Sequence, residues 1–163
     1  MQIVSCKTSR YNRTMTKKPD RPSFESVYMD FAKAIANRSS CKRLNVGTVI
    51  TSTDFRKVLA VGYNGNAAGL PNGCDRDEVG NCGCLHSEEN AAINCDSPRY
   101  VEKFVFVTHL PCTACAKRLI NIGNVKKVFF EEDYRKREAI GLFKTTGIEI
   151  FQIKDNEVIK VEE

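Results

Sequence analysis

The second half of the chain alternates between helix and strand patterns, and this alternation limits the possible folds more than any other feature. Apolar spacing predicts helices over 86–95, 112–122 and 136–146 and strands over 104–108, 127–131 and 148–153. Gly123 and Gly147 lie where the second and third of these helices should end. Strand–helix–strand units this short favour parallel strands with helices packed on the sheet.

The first half adds one helix and one hairpin. Ser23 can cap a helix whose apolar residues recur at helical spacing, and Asn37 lies near its expected end. These apolar residues are Phe24, Val27, Tyr28, Phe31 and Ile35. Two β-rich runs, 46–51 and 57–62, are joined by a short polar segment, which predicts a hairpin. The predicted fold is therefore a three-layer α/β fold with a mixed five-stranded sheet and helices on both faces.

Length and charge exclude several classes of protein. The chain has 163 residues and 18.3 kDa, enough for one domain with a core of its own. We divide it into a basic N-terminal arm, 1–22, and a domain, 23–163. Residues 1–19 hold five of the 25 basic residues and no acidic residue, so the remaining 20 basic and 20 acidic residues balance. A neutral domain argues against nucleic acid as the partner.

The sequence also lacks the patterns of membrane and secreted proteins. No apolar run approaches the roughly 20 residues of a membrane span, and the basic N-terminus contains no apolar signal core. We therefore expect no membrane partner. The expected location is the cytoplasm, or the host cytoplasm if the protein is viral.

Two short motifs contain residue types that bind a catalytic metal ion. They are His86-x-Glu88 and Pro111-Cys112-x-x-Cys115. A Cys-x-x-Cys at the start of a helix places both sulfur atoms on one side of the first turn, and His86 can supply a third ligand. Three protein ligands leave the fourth position of a tetrahedral zinc ion (Zn²⁺) open, which is typical of a catalytic zinc rather than a structural one.

Glu88 indicates what such a site would do. It follows a predicted metal ligand by two residues at a helix start, so it can reach the open position without binding the ion. A carboxylate there can take a proton from water and return it to a nitrogen atom of a substrate. A structural zinc site has no use for this carboxylate.

The pairing of these motifs resembles the signature of zinc-dependent cytosine and adenine deaminases. Further motifs between 23 and 153 narrow the resemblance to the deoxycytidylate (dCMP) deaminase family. They are Ser39-Ser40-Cys41-Lys42-Arg43-Leu44-Asn45-Val46-Gly47, Gly62-Tyr63-Asn64-Gly65, Gly69-Leu70-Pro71-Asn72-Gly73-Cys74-Asp75 and His86-Ser87-Glu88-Glu89-Asn90-Ala91. The chain is identified as a member of that family, although Ser87 stands where the family usually has alanine.

The resemblance implies a zinc-dependent hydrolase that converts dCMP to dUMP and ammonia for thymidylate synthesis. His86, Cys112 and Cys115 would bind the catalytic zinc, and a zinc-activated water would attack C4 of cytosine. Glu88 would carry the water's proton first to N3 and then to the departing amine.

The resemblance also implies substrate contacts. Asn64 would hydrogen-bond the sugar and base, and Tyr134 would lie near the 5′-phosphate. The alternatives are a turn residue for Asn64 and a packing ring for Tyr134. The backbone of Ser87 could meet the pyrimidine carbonyl, and Asn66 is a further candidate in the same loop as Asn64.

Four more cysteines, of eight in the chain, predict a second, structural zinc. They are Cys41, Cys74, Cys82 and Cys84. In a reducing compartment clustered cysteines bind metal more often than they form disulfides. Some dCMP deaminases carry such a zinc, with cysteines at positions similar to Cys41 and Cys74. A tetrathiolate zinc would also stabilise the long glycine- and asparagine-rich loop, although some of these thiols could instead be simply buried.

The family resemblance implies regulation as well. Members are commonly homo-oligomers, often hexamers, that dCTP with Mg²⁺ activates and dTTP inhibits. The segment Asn64–Asp75 is the expected place for such effectors, because glycine amides can approach phosphates closely.

Other functions remain open at this point. One is a deaminase that acts on cytosine or adenine in a polynucleotide, and another is a zinc-stabilised interaction module without catalysis. Among small molecules, dCTP and a pyrimidine of riboflavin synthesis are alternative substrates that the resemblance ranks below dCMP.

Overall fold

The computed structural model describes residues 21–78 and 81–162, and these contain four α-helices and six strands. The helices are α1 (Phe24–Ala36), α2 (Ser87–Ile93), α3 (Thr113–Asn121) and α4 (Glu138–Thr145). The strands are β1 (Gly47–Ser52), β2 (Val58–Tyr63), β3 (Lys103–His109), β4 (Val125–Glu132), β5 (Glu149–Lys154) and β6 (Glu157–Lys160). The predicted arm, 1–22, lies outside the described residues except for Arg21 and Pro22.

The strands form one sheet in the order β2-β1-β3-β4-β5-β6. Strands β3, β4 and β5 are parallel, as their connecting helices require, whereas β1, β2 and β6 pair antiparallel. The mixed α/β sheet predicted from the sequence is therefore confirmed. In the described part of the chain, moreover, each helix is too short or too polar to cross a bilayer.

The prediction of five strands was wrong by one, because β6 was not expected. A tight turn at Asp155 and Asn156, both with positive φ (50° and 65°), folds β6 back onto β5. Asp and Asn tolerate this conformation better than most residues, but they are a weaker hairpin signal than Asn-Gly. Each residue of β6 is exposed, so the strand also lacks the apolar alternation that predicts strands.

Helices cover both faces of the sheet, which confirms the three layers. Helix α1 packs on one face, where Met29, Val49, Phe106 and Phe129 are buried together. The other face packs against α2, α3 and α4 and carries a larger apolar cluster that includes Ile50. Neighbouring residues on a strand contribute to opposite faces because successive side chains point in opposite directions.

The fold brings the predicted motifs to one end of the sheet. Parallel strands β3 and β4 end at His109 and Glu132, and the chain continues into Cys112 and Tyr134. The crevice outside the carboxyl ends of parallel strands is where α/β proteins bind ligands. At Gly62 a Cβ atom would lie 2.2 Å from the carbonyl oxygen of Ser87, so only glycine lets β2 pack this closely against the start of α2.

Candidate active site

The N-terminal ends of α2 and α3 bring together one imidazole and two thiols. His86 caps α2, Cys112 caps α3, and Cys115 lies in the first turn of α3. The Nδ1 atom of His86 lies 3.6 Å from Cys112 Sγ and 3.4 Å from Cys115 Sγ. Tetrahedral zinc with ordinary bond lengths separates nitrogen and sulfur ligands by about 3.5 Å. The three side chains therefore fit one zinc ion with a fourth position left open.

The electrostatics of this cluster favour a thiolate. Hydrogen bonding from Cys115, with His86 as a further partner, lowers the pKa of Cys112 to about 3 although burial opposes the shift. The hydrogen bond to Cys112 raises the pKa of His86 to about 9, again against burial. Two helix N-termini, each equivalent to roughly half a positive charge, point at the cluster. The thiolate is the form of cysteine that binds metal ions.

Glu88 lies beside the cluster without belonging to it. The side chain sits in the first turn of α2, is only 5% exposed, and accepts a hydrogen bond of 2.9 Å from Ser87 Oγ at its Oε2 atom. Burial raises the pKa of this carboxyl group. A carboxyl group whose pKa lies above its ordinary value is suited to accept and return protons.

A cavity of about 730 Å³ opens in front of these residues. This volume is in the range of small-molecule sites. Its lining includes His86, Ser87, Glu88 and Cys112 together with Asn64 and Tyr134. The cavity is thus lined both by residues at the starts of α2 and α3 and by two predicted substrate residues from distant loops.

Four cysteines form a second cluster at the side of the same cavity. Cys41 Sγ lies 3.6 Å from Cys74 Sγ and 3.8 Å from Cys82 Sγ, and Cys84 Sγ lies 3.7 Å from Cys74 Sγ. Thiolates around a tetrahedral zinc are about 3.8 Å apart. Although burial opposes it, the backbone N–H groups of two following residues lower the pKa of Cys41 to about 7. The donor set and its spacing fit a tetrathiolate zinc site, which we name the four-cysteine cluster.

Gly83 explains how Cys82 and Cys84 can both join the four-cysteine cluster. Its φ of +86° is in the left-handed region that glycine adopts without strain. A Cβ atom at this position would also lie 2.4 Å from a carboxylate oxygen of Asp75. The glycine therefore makes the bend that a Cys-x-Cys pair needs to direct both thiols to one point.

Comparison with known proteins agrees with this geometry. Residues 22–132 match the family described as the cytidine and deoxycytidylate deaminase zinc-binding region. The chain belongs to this family. Together with the deoxycytidylate deaminases to which it is similar, the match makes the chain a zinc-dependent deaminase, so a non-catalytic module no longer explains it.

Individual relatives are similar over most of this deaminase. ComE operon protein 2 of Bacillus subtilis is 32% identical over 86% of this chain and 76% of its own length. Deoxycytidylate deaminase of Saccharomyces cerevisiae is 32% identical over 84% of this chain, which spans only 47% of the yeast protein. The dCMP deaminase of cyanophage S-TIM5, solved with dCMP and dUMP, superposes with a TM-score of 0.71 at 30% identity, covering 81% of this chain and 98% of the other.

Two of the predicted substrate residues of the deaminase, Asn64 and Tyr134, line the cavity, and Asn66 does not. Tyr134 is half-buried and lines the cavity. Asn64 also lines it, but its side chain already accepts a hydrogen bond from the Val46 N–H (2.8 Å) and donates one to the Leu44 carbonyl (2.7 Å). Asn66 is not among the lining residues, and its amide group donates to the Pro71 carbonyl and to Asp75 within its own loop.

Three arginines of the cavity were not predicted from the sequence as site residues. Arg43, Arg76 and Arg135 all line it and are exposed, whereas Glu88 is buried. The carboxylate therefore lies deep in the cavity and the guanidinium groups lie near its opening. Their signal in the sequence was weak, because the net charge of the domain is zero and the three residues are far apart in the chain. Only their positions in the chain, two residues after Cys41 and directly after Asp75 and Tyr134, could have indicated them.

Proposed function

We propose that this deaminase hydrolyses dCMP to dUMP and ammonia in the cytoplasm, or the host cytoplasm if viral, supplying dUMP for thymidylate synthesis. One observation carries the proposal: a buried carboxylate, Glu88, lies beside a three-ligand cluster in a cavity whose opening carries three arginines. The carboxylate suits proton transfer at a base, and the arginines suit a phosphate. Relatives named deoxycytidylate deaminase and the cyanophage enzyme bound to dCMP and dUMP support the choice of substrate.

The residues divide the chemistry between them. His86, Cys112 and Cys115 would hold the zinc ion, which supplies Lewis-acid activation of water. As water adds to C4 of the cytosine, Glu88 carries one of its protons to N3. The C4–N4 bond then breaks while Glu88 carries the proton of the new C4 hydroxyl to the amine. Ammonia leaves, and C4 keeps the carbonyl oxygen of dUMP, so atoms and charges balance.

Substrate binding in this proposal uses the rest of the cavity. Tyr134 and the arginines face the 5′-phosphate, and Asn64 holds the loops around the sugar while its remaining lone pair and N–H contact the substrate. The backbone of Ser87 lies next to Glu88, where the pyrimidine carbonyl would be. Asn66 acts through the loop that it stabilises, because its side chain is engaged there.

Removing an arginine should weaken binding of the phosphate specifically. A guanidinium–phosphate hydrogen bond contributes about 1.5–3 kcal/mol, so Arg76→Gln or Arg135→Gln should raise KM for dCMP roughly tenfold. The KM for deoxycytidine, which has no phosphate, should not change. Arg56→Gln is the matched control, since Arg56 is exposed and lies between β1 and β2, outside the cavity lining. Equal losses with both substrates would contradict the assignment.

A substrate panel tests the function itself. Ammonia release should be measured from cytidine, deoxycytidine, CMP, dCMP, dCTP and a cytosine-containing oligonucleotide. The proposal requires dCMP to have the highest kcat/KM. Preference for the oligonucleotide, together with a steep decrease of binding with salt, would favour the polynucleotide deaminase instead.

We further propose that the four-cysteine cluster binds a structural zinc, as its spacing supports. The protein should also act as a homo-oligomer, with a hexamer as the expected state. The expected activator is dCTP with Mg²⁺, and the expected inhibitor is dTTP. The family resemblance supports these proposals. The segment Asn64–Asp75 offers open backbone at Gly69 and Gly73, where a Cβ atom would meet nothing within 4 Å.

Effector binding predicts a change in the saturation curve. With Mg²⁺ present, dCTP should shift the dCMP saturation curve to lower substrate concentration, and dTTP should shift it to higher concentration. Steady-state rates at fixed enzyme concentration, with dATP as the control nucleotide, provide the measurement. Superimposable curves with and without both effectors would remove the regulatory proposal and leave the catalytic one unaffected.

A further inference from the structure

Three side chains form a hydrogen-bonded row that ends at the carboxylate of Glu88. Thr48 Oγ1 and Ser87 Oγ are 2.8 Å apart, and Ser87 Oγ donates to Glu88 Oε2 over 2.9 Å. Thr48 and Ser87 have no exposed surface, and Glu88 is 5% exposed. Thr48 lies on β1, whereas the other two residues lie in the first turn of α2. The row therefore connects the carboxylate to β1, a strand that pairs with a neighbour on each side.

The direction of the row follows from the number of protons. A hydroxyl group has one proton to donate, and an ionised carboxylate can only accept. Because Ser87 donates its proton to Glu88, the proton between the two hydroxyl groups must come from Thr48. Both O–H groups then point toward the carboxylate, and donors aligned in this way strengthen each other.

We propose that Thr48 and Ser87 are positioning residues that hold Glu88 Oε2, so that Oε1 is the oxygen that accepts and returns the protons of the reaction. This inference rests on the proposed function. The last torsion of a glutamate side chain is broad, so an unsupported carboxylate would be rotated away from the substrate for part of the time. Small errors of geometry at reacting atoms reduce rates strongly.

Variants of both hydroxyl residues test the proposal in the full, zinc-loaded protein. Ser87→Ala removes a buried hydrogen bond to a charged group and should lower kcat for dCMP roughly tenfold, with KM changed by less than about twofold. Thr48→Val should lower kcat by about threefold, and Thr48→Ser should restore it. Because Thr48 acts only through Ser87, the double variant should be no slower than Ser87→Ala alone.

Thr51→Val is the matched control. Thr51 is a fully buried threonine on the same strand, and its hydroxyl has no hydrogen-bond partner among the described residues. This variant should keep the kcat of the unmodified protein. Zinc content and the unfolding midpoint should be measured for every variant. If kcat falls only in proportion to a loss of zinc or to a lower midpoint, the positioning role is overturned.

A crystal structure of Ser87→Ala gives a readout independent of activity. It should show the Glu88 carboxylate in more than one orientation, whereas the unmodified protein should show one. If dCMP is deaminated and Ser87→Ala keeps full kcat, the row is merely structural and the inference is wrong while the proposed function stands. If dCMP is not deaminated, the proposed function is wrong, and a single carboxylate orientation in Ser87→Ala would overturn the inference as well.

Discussion

Replacing Glu88 by glutamine should lower kcat for dCMP about a thousandfold while the protein keeps its fold and its zinc. General acid–base catalysis contributes factors of roughly 10²–10⁴, and glutamine cannot carry a proton. The amide has nearly the same shape as the carboxyl group, and its oxygen can still accept the hydrogen bond from Ser87. Single-turnover rates of ammonia release, with zinc content and circular dichroism on the same samples, provide the measurement.

Glu89→Gln is the control for this substitution. Glu89 is the next residue on α2, but it pairs with Arg118 at 3.0 Å and does not line the cavity. Its neutralisation should change kcat by less than about twofold, because the half-buried Glu89 carboxylate pairs with Arg118 outside the cavity and cannot reach the substrate. Unchanged turnover in Glu88→Gln would mean that another group transfers the proton, and the proposed mechanism would have to be abandoned.

Replacing Cys82 by serine should reduce the zinc content from two ions to one per chain. Serine cannot supply the thiolate, and a three-cysteine remnant binds zinc more weakly. The four-cysteine cluster joins the segment after α1 to the loop between β2 and α2, so its loss should release that loop. Trypsin should then cleave after Arg76 at least about tenfold faster, because the cleavage rate depends on the fraction of molecules in which this loop is detached from the domain. Both Arg43 and Arg76 flank the cluster, so KM for dCMP should rise as well.

Cys95→Ser provides the matched comparison. Cys95 is a half-buried cysteine in neither group of ligands. Its substitution should leave two zinc ions per chain and the original rate of cleavage. If metal analysis of the unmodified protein finds a single zinc per chain, the structural zinc does not exist and the four thiols are simply close together.

Most of the architecture could be predicted from local patterns. Ser23 accepts a hydrogen bond of 3.1 Å from the Ser26 N–H at the start of α1, as an N-cap should. Gly123 and Gly147 follow α3 and α4 with φ of +85° and +74°, in the conformation that ends helices. These features depend on a few neighbouring residues. Strand β6 was missed because pairing with β5, and not its own apolar pattern, makes it a strand.

The metal-binding and proton-transferring residues of the site could be predicted from the sequence, but the contacts of its other residues could not. His86, Glu88, Cys112 and Cys115 stand in two compact motifs whose helical geometry directs the side chains. Spacing alone could not show that the amide of Asn64 would be engaged by backbone groups, or that Asn66 would face its own loop. Those outcomes depend on which loops meet, and the packing of the whole domain decides that.

The sequence by itself therefore determined the residue types of the two thiol clusters, the order of helices and strands, and the family. Each of these depends on a few neighbouring residues, because local backbone geometry fixes the directions of their side chains. Only the tertiary structure decided that Arg43, Arg76 and Arg135 share one opening and that Thr48 reaches Ser87. Such contacts join distant parts of the chain, and their distances depend on strand register and helix packing, which the complete core establishes.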